Sequence, residues 1–215
     1  MGVALPQNAR PVGPVSLAGE HVLPVLPALE SLLPGRSLRR GSTVAVVGST
    51  SLALALLAAP TSAGSWCAAV GFPSLGLAAA AEVGVALGRL ALVAAPGTDW
   101  PAVVAALLDG LDVVVVRPPT RVRPGDARRL AARVRERGAV LIPVGTWEGA
   151  DVRLTITARR WEGVGDGHGH LRARLAEVLA EGRGAAARPQ RAQLWLPAPG
   201  GGVASGHGHL PFGGP

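Results

Sequence analysis

The chain has 215 residues, 48% of them hydrophobic, and a mean hydropathy of +0.34, enough apolar material for one domain with a real core; this excludes an intrinsically disordered middle. All 21 basic residues are arginine, against 14 acidic ones, for a net charge of +7; this points either to an acidic partner or to a coding bias that writes arginine for lysine. The single cysteine, Cys67, excludes an internal disulfide and a cysteine-based zinc site, and it fits a reducing cytoplasm.

Residues 1–20 carry Pro6, Pro11 and Pro14 without an apolar period and read as a flexible N-terminal tail, with no basic segment ahead of an apolar one to signal export. Apolar residues return from Val22 to Leu33, and "LPGRSLRRGS" is a turn-rich connection into a strand at Thr43 to Val47. Leu52, Leu56 and Leu57 then mark a short helix, which Pro60 is expected to stop. "WCAAV" (Trp66 to Val70) reads as the second strand, "LGLAAAAEVGVAL" as a helix, and "RLALVAA" (Arg89 to Ala95) as the third strand. Glu82 and Arg89 interrupt the apolar stretch from Leu75 to Ala95, so it is not a membrane span.

Asp99 is placed to cap a helix that has Pro101 near its first turn and runs to Leu108. "LDVVVV" is a continuous apolar run, the mark of a strand buried on both faces. Asp126 is expected to cap "ARRLAARVRERG", which ends at Gly138, and "AVLIPV" follows as another strand. Strand and helix alternate through four or five rounds, which argues for an α/β fold with a mostly parallel sheet and helices on both faces.

Beyond Gly145 the pattern changes. "DVRLTITARRW" alternates with period two and reads as an exposed-edge strand, and "AQLWLP" (Ala192 to Pro197) as a short final one. Between them "LRARLAEVLAEGR" admits helix or strand and leans to strand. The Gly/Pro-rich residues 198–215 read as a disordered tail, leaving 21–197 as the folded domain.

"TVAVVGSTSLALALL" has the outline of a phosphate-binding loop. A working loop reads G-x-x-x-x-G-K-S/T, because glycines let backbone N–H groups wrap the phosphates, the lysine reaches the β and γ phosphates, and the hydroxyl holds magnesium. Laid on "GSTSLALA", the pattern keeps Gly48, while Ala53 replaces the second glycine, Leu54 the lysine and Ala55 the hydroxyl. The carboxylate that orders the metal usually ends an apolar run; in "VVVVR" that place is Arg117. Asp112 precedes the same strand, roughly 16 Å from its carboxyl end, and cannot substitute. After the second strand, "VGFPS" sets Phe72 and Pro73 where a recombinase-type ATPase would carry its water-polarising glutamate.

The order "LPALESLLPG…LRRGSTVAVVG", "WCAAVGFP", "LDVVVVRPP", "ARRLAARVRERGAVLIPV" and "RAQLWLP" resembles the RecA-like ImuA-prime proteins of actinobacteria over roughly residues 23–197. The resemblance implies a RecA-like fold with antiparallel C-terminal edge strands. It also implies a role beside ImuB and an error-prone DnaE-type polymerase in damage-induced mutagenesis. Ala53, Leu54, Ala55, Pro73 and Arg117 depart from the RecA pattern, so the expectation is a non-catalytic adaptor with no cofactor and no metal. Other readings are a SulA-like division inhibitor, also RecA-derived and without a nucleotide site, a weak ATPase and a stand-alone DNA-binding module.

The candidate contact surface is arginine-rich. Arg121, Arg123, Arg128, Arg129, Arg133 and Arg137 fall with Arg135 in one loop and helix whose Leu130 and Val134 point inward. Such a face meets DNA phosphates or an acidic partner segment, or is an ordinary solvated surface. Trp147 and Trp161 flank the late strand near arginines and are candidates for partner binding, with packing as the default; Trp66 and Trp195 read as core or edge packing. His168 with His170, and His207 with His209, lie in glycine-rich loops with no carboxylate framework beyond Asp166, so they are not read as a metal site. The resemblance places His168 and His170 where a RecA-like protein carries a DNA-contacting loop.

Overall fold

The computed structural model describes residues 21–119, 121–165 and 168–208. Two short strands, β1 (Val22–Leu23) and β2 (Leu38–Arg39), pair antiparallel. They bracket two 3-10 turns, Pro27–Leu32 and Pro34–Arg36, the first of which buries Leu29 and Leu32. From there strands and helices alternate: β3 (Val44–Val47), α1 (Thr50–Ser62), β4 (Cys67–Val70), α2 (Leu77–Glu82), β5 (Leu90–Val93), α3 (Trp100–Gly110), β6 (Val113–Val116), α4 (Pro124–Arg137) and β7 (Val140–Pro143). The chain then runs through β8 (Val152–Gly165), β9 (His168–Gly182), β10 (Gln190–Trp195) and β11 (Ala204–Ser205).

Strands β5, β4, β6 and β7 lie side by side in that order, all parallel. The parallel bridges Thr43↔Leu141 and Val46↔Val144 set β3 beside β7. On its other side β3 pairs parallel with β8, and β9, β10 and β11 follow antiparallel. This is the α/β, RecA-like arrangement that the alternation and the resemblance imply. Successive strand residues point to opposite faces. Val44, Val46, Val113 and Val115 pack with the leucines of α1 and of the first 3-10 turn, whereas Ala45, Val114, Val116 and Leu141 pack with Trp100, Val104, Leu130 and Val134 of α3 and α4.

Several boundaries differ from the sequence reading, each for a local reason. Pro60 lies inside α1, not beyond it. It stands two residues from the end, where only one ladder bond is forfeited, and the Thr61 hydroxyl donates to the carbonyls of Leu57 and Ala58 in the same turn. Helix α4 starts one residue after Arg123, with Pro124 in its first position; Asp126 is inside the first turn and is not the cap. Gly138 ends α4 at φ 65°, as expected of a glycine C-cap. The alanine-rich segment forms only the six residues of α2, because Gly84 at φ 104° leaves helical space.

Strand β8 is interior, flanked by β3 and β9, and is not an edge. Its period-two alternation lies in the near part, where Val152 and Leu154 are buried and Arg153 is exposed; beyond Thr155 the strand outruns β3 and pairs with β9 alone. Residues 198–208, expected in the tail, turn back so that Ala204–Ser205 pairs with Leu194 and Trp195; residues 1–20 and 209–215 lie outside the described residues.

Candidate functional site

The carboxyl ends of parallel strands gather loops on one edge of an α/β sheet, where ligands bind in such folds. Here that edge carries the loop after β3, the turn after β4 with Phe72, and Arg117 directly after β6. Gly48 takes φ 84°, which turns the chain from β3 into α1, and Ser49 caps the helix, its Oγ accepting from Leu52 N at 3.1 Å. The strand–turn–helix outline of a phosphate loop is therefore present.

The residues that stand for its second glycine, lysine and hydroxyl are apolar and buried. Ala53, Leu54 and Ala55 are 0%, 5% and 0% exposed, packed in the core beneath the sheet. At the mouth of the turn Arg117 donates through Nη2 to Thr50 Oγ1, and its guanidinium lies 4.7 Å from the Phe72 ring centroid. Phe72, which the sequence marks only as a missing glutamate, is the platform that holds this cation. Asp112 sits at the opposite end of β6, accepting from Arg40 Nη2 at 2.7 Å and from Trp66 N at 3.0 Å, a structural tie away from the loop. Cys67, in the buried heart of β4, has its thiol pushed up to about 12, by burial first and then by the Asp112 charge, which keeps it protonated.

Sequence reasoning misses Arg174, yet it is the most deeply placed cation at this edge, only 8% exposed. Its Nε donates to the Leu196 carbonyl at 2.9 Å and its Nη2 to Ser49 Oγ at 3.2 Å, while the guanidinium lies 5.3 Å from the Trp161 ring centroid. Burial first, and then the charge of Arg159, hold it below the ordinary arginine range. The signal is in the alternation of "LRARLAEV", which sets Arg174 on the same strand face as the buried Ala176 and Val178.

The arginine helix divides. Arg133 grips Asp109 with Nε and Nη2, both at 2.6 Å, and reaches Glu136 at 3.3 Å. Arg137 shares Asp109 at 3.2 Å and Arg129 closes on Asp126. The Asp109 carboxyl is held below the ordinary aspartate range, chiefly by the hydrogen bond from Arg133. Arg121, Arg123 and Arg128 are exposed with no carboxylate partner among the described residues. Arg121 and Arg123 line a cleft of about 800 Å³ that also meets Asp99 and Trp100.

The tryptophans also divide. Trp147 is 1% exposed and packs edge-on against Trp100, centroids 6.3 Å apart, so it is a core residue and not a partner contact. Trp66, expected in packing, is 46% exposed beneath the guanidinium of Arg89, because it precedes β4 and falls outside the sheet. Trp161 is 43% exposed. His170 and His207 are exposed; the side chain of His168 and all of Asp166 and His209 lie outside the described residues. Among the described residues no group of three His, Cys, Asp or Glu side chains is placed to hold a metal, and no helix is long and apolar enough to cross a membrane.

The family model of the MT3502 N-terminal domain matches residues 31–149, from the first 3-10 turn through the loop after β7. The chain belongs to this family. The matched segment contains the degenerate loop, Phe72, Arg117 and the whole of α4, while β8 to β11 lie beyond it. The uncharacterized protein Rv3395c of Mycobacterium tuberculosis is 43% identical over 123 residues, covering 55% of this chain. The match spans only 59% of that relative's length.

Proposed function

We propose that this MT3502-family chain is a non-catalytic, RecA-like accessory protein of the cytoplasm that acts as an adaptor in damage-induced translesion synthesis, beside an ImuB-like protein and an error-prone DnaE-type polymerase. One observation carries the non-catalytic part of this reading: the Arg117 guanidinium, fixed by Thr50 and Phe72, stands where a nucleotide-hydrolysing site needs a metal-binding carboxylate. With Leu54 buried in place of a lysine, the turn has neither the metal shell nor the lysine that hydrolysis of a triphosphate requires. The partner assignment rests on the resemblance over residues 23–197.

The surface suited to an acidic partner segment is the cleft that Arg121 and Arg123 line, since Arg129, Arg133 and Arg137 spend their charge on Asp126 and Asp109. Co-purification with the ImuB-like and polymerase components tests the reading. Recovery of either partner by the wild-type chain, lost on Arg121→Glu with Arg123→Glu, is the expected result. Failure to recover any polymerase component from damaged cells contradicts the adaptor role.

A further inference from the structure

Helices α3 and α4 both cross between parallel strands, so they run in the same direction and present their amino ends at the carboxyl edge of the sheet. Near their other ends Arg133 and Arg137 tie α4 to Asp109, the last residue but one of α3. Toward the amino ends the helices part around the cleft of about 800 Å³, within the size range of ligand pockets. Small side chains make that room. Ala102 and Ala105, three apart on α3, share a face, and Leu130 of α4 lines the same space. Leu130 is only 2% exposed, whereas Ala102 is exposed and Ala105 half-buried, so the floor is apolar and open to a ligand.

Charge lies on the rim and is uneven. Arg121 and Arg123, on the loop that leads into α4, are exposed and meet no carboxylate among the described residues. Arg129 and Arg133, in the same lining, are occupied by Asp126 and Asp109. Asp99, at the amino end of α3, adds an exposed carboxylate.

We infer that the cleft seats a short acidic peptide built around one bulky apolar residue, whose side chain lies against Ala102, Ala105 and Leu130 while carboxylates meet Arg121 and Arg123. This assignment rests on the adaptor reading, which calls for a protein partner, and gives that partner's docking segment its chemistry. Arginine clusters recognise acidic motifs, and a central apolar anchor supplies most of the binding free energy at such contacts. A nucleic-acid strand carries negative charge at every residue, which Asp99 and Asp126 in the lining oppose. A uniformly acidic chain leaves the alanine floor uncovered. A peptide with acids at one end of an apolar anchor satisfies both parts of the cleft.

The test is selection of a phage-displayed random-peptide library on the immobilised full chain, followed by fluorescence anisotropy of the most enriched peptide, synthesised with a label. Each variant is first checked for wild-type circular dichroism. Enriched sequences are expected to carry Asp or Glu beside a Leu, Phe or Trp. Ala102→Trp, which fills the cleft from an exposed position and leaves its charge unchanged, weakens binding about tenfold, as does serine in place of the peptide's apolar residue. Arg121→Glu with Arg123→Glu weakens it at least as much and removes its salt dependence. Ala106→Trp, exposed on the same helix and outside the lining, has no effect. The inference is overturned if no peptide is enriched, if the enriched sequences lack either the acidic or the apolar residues, or if Ala102→Trp binds as tightly as wild type. Binding of an oligothymidylate that Ala102→Trp abolishes also overturns it, in favour of nucleic acid. Peptide binding in the cleft without co-purified polymerase components defeats the adaptor role and leaves the cleft assignment standing; co-purification indifferent to Ala102→Trp does the reverse.

Discussion

On α4, Arg133 and Arg137 share Asp109 and Arg129 closes on Asp126; on the β8–β9 ribbon, Arg159 and Arg172 meet no carboxylate among the described residues and Arg174 is buried against a carbonyl, a hydroxyl and an indole. The helix is the more conspicuous cluster in the sequence, but carboxylates within reach neutralise much of it. The ribbon is inconspicuous in the sequence; its Arg160 pairs with Glu162, while Arg159 and Arg172 keep their charge. What matters for recognition is therefore the distance from each guanidinium to the nearest acid, which depends on Asp109 of α3 facing α4 across the sheet's outer layer.

A second contrast, between the buried parallel half and this exposed extension, is open to direct attack. The largest effect is expected from Leu54→Lys, which restores the lysine of a working phosphate loop at a core position. An ammonium placed there without a partner costs on the order of 4 kcal/mol, read as a collapse of the urea midpoint. If the variant were as stable as wild type, α1 would not be packed as described.

Next comes the pair of tryptophans that the sequence groups together. Trp147→Ala, which empties a site between Trp100 and the sheet, should lose about 3 kcal/mol. Trp161→Ala should lose less than about 1 kcal/mol, since its ring is half in water. Equal losses in denaturant titration would erase the distinction between core and ribbon.

The smallest effect concerns Asp109. Its folded carboxyl titrates below the ordinary aspartate range, so its contribution to stability is present above that range and lost as pH falls through the folded value. Wild type should therefore lose more stability on acidification than Asp109→Asn, by a small margin because the pair is solvated. Parallel acid-denaturation curves would mean that Arg133 gains nothing from Asp109 and is available to a partner.

Much of the parallel half is legible in the sequence because its signals are local. The run Val113–Val116 can only be a strand covered on both faces, and Gly138 marks the end of α4. The start of α4 is misplaced by sequence reasoning because Asp126 is a good cap by type, whereas Pro124, which fixes the first helical position, is the stronger constraint. The degenerate loop is readable residue by residue, but the Arg117–Phe72 stack needs β4 and β6 to be neighbours, and nothing within either strand says so. The same holds for Arg174, whose partners Ser49 and Leu196 are far away in the chain. Trp147 and Trp161 cannot be told apart either, since burial of the former, in the loop after β7, is decided by Trp100 at the start of α3.

The central claim is that the turn at Gly48 is a fold feature emptied of nucleotide chemistry. Isothermal calorimetry of the full chain against ATP, with and without magnesium, tests it most directly. The account predicts no magnesium-dependent heat of binding. Tight, magnesium-dependent binding that Gly48→Val abolishes would contradict it.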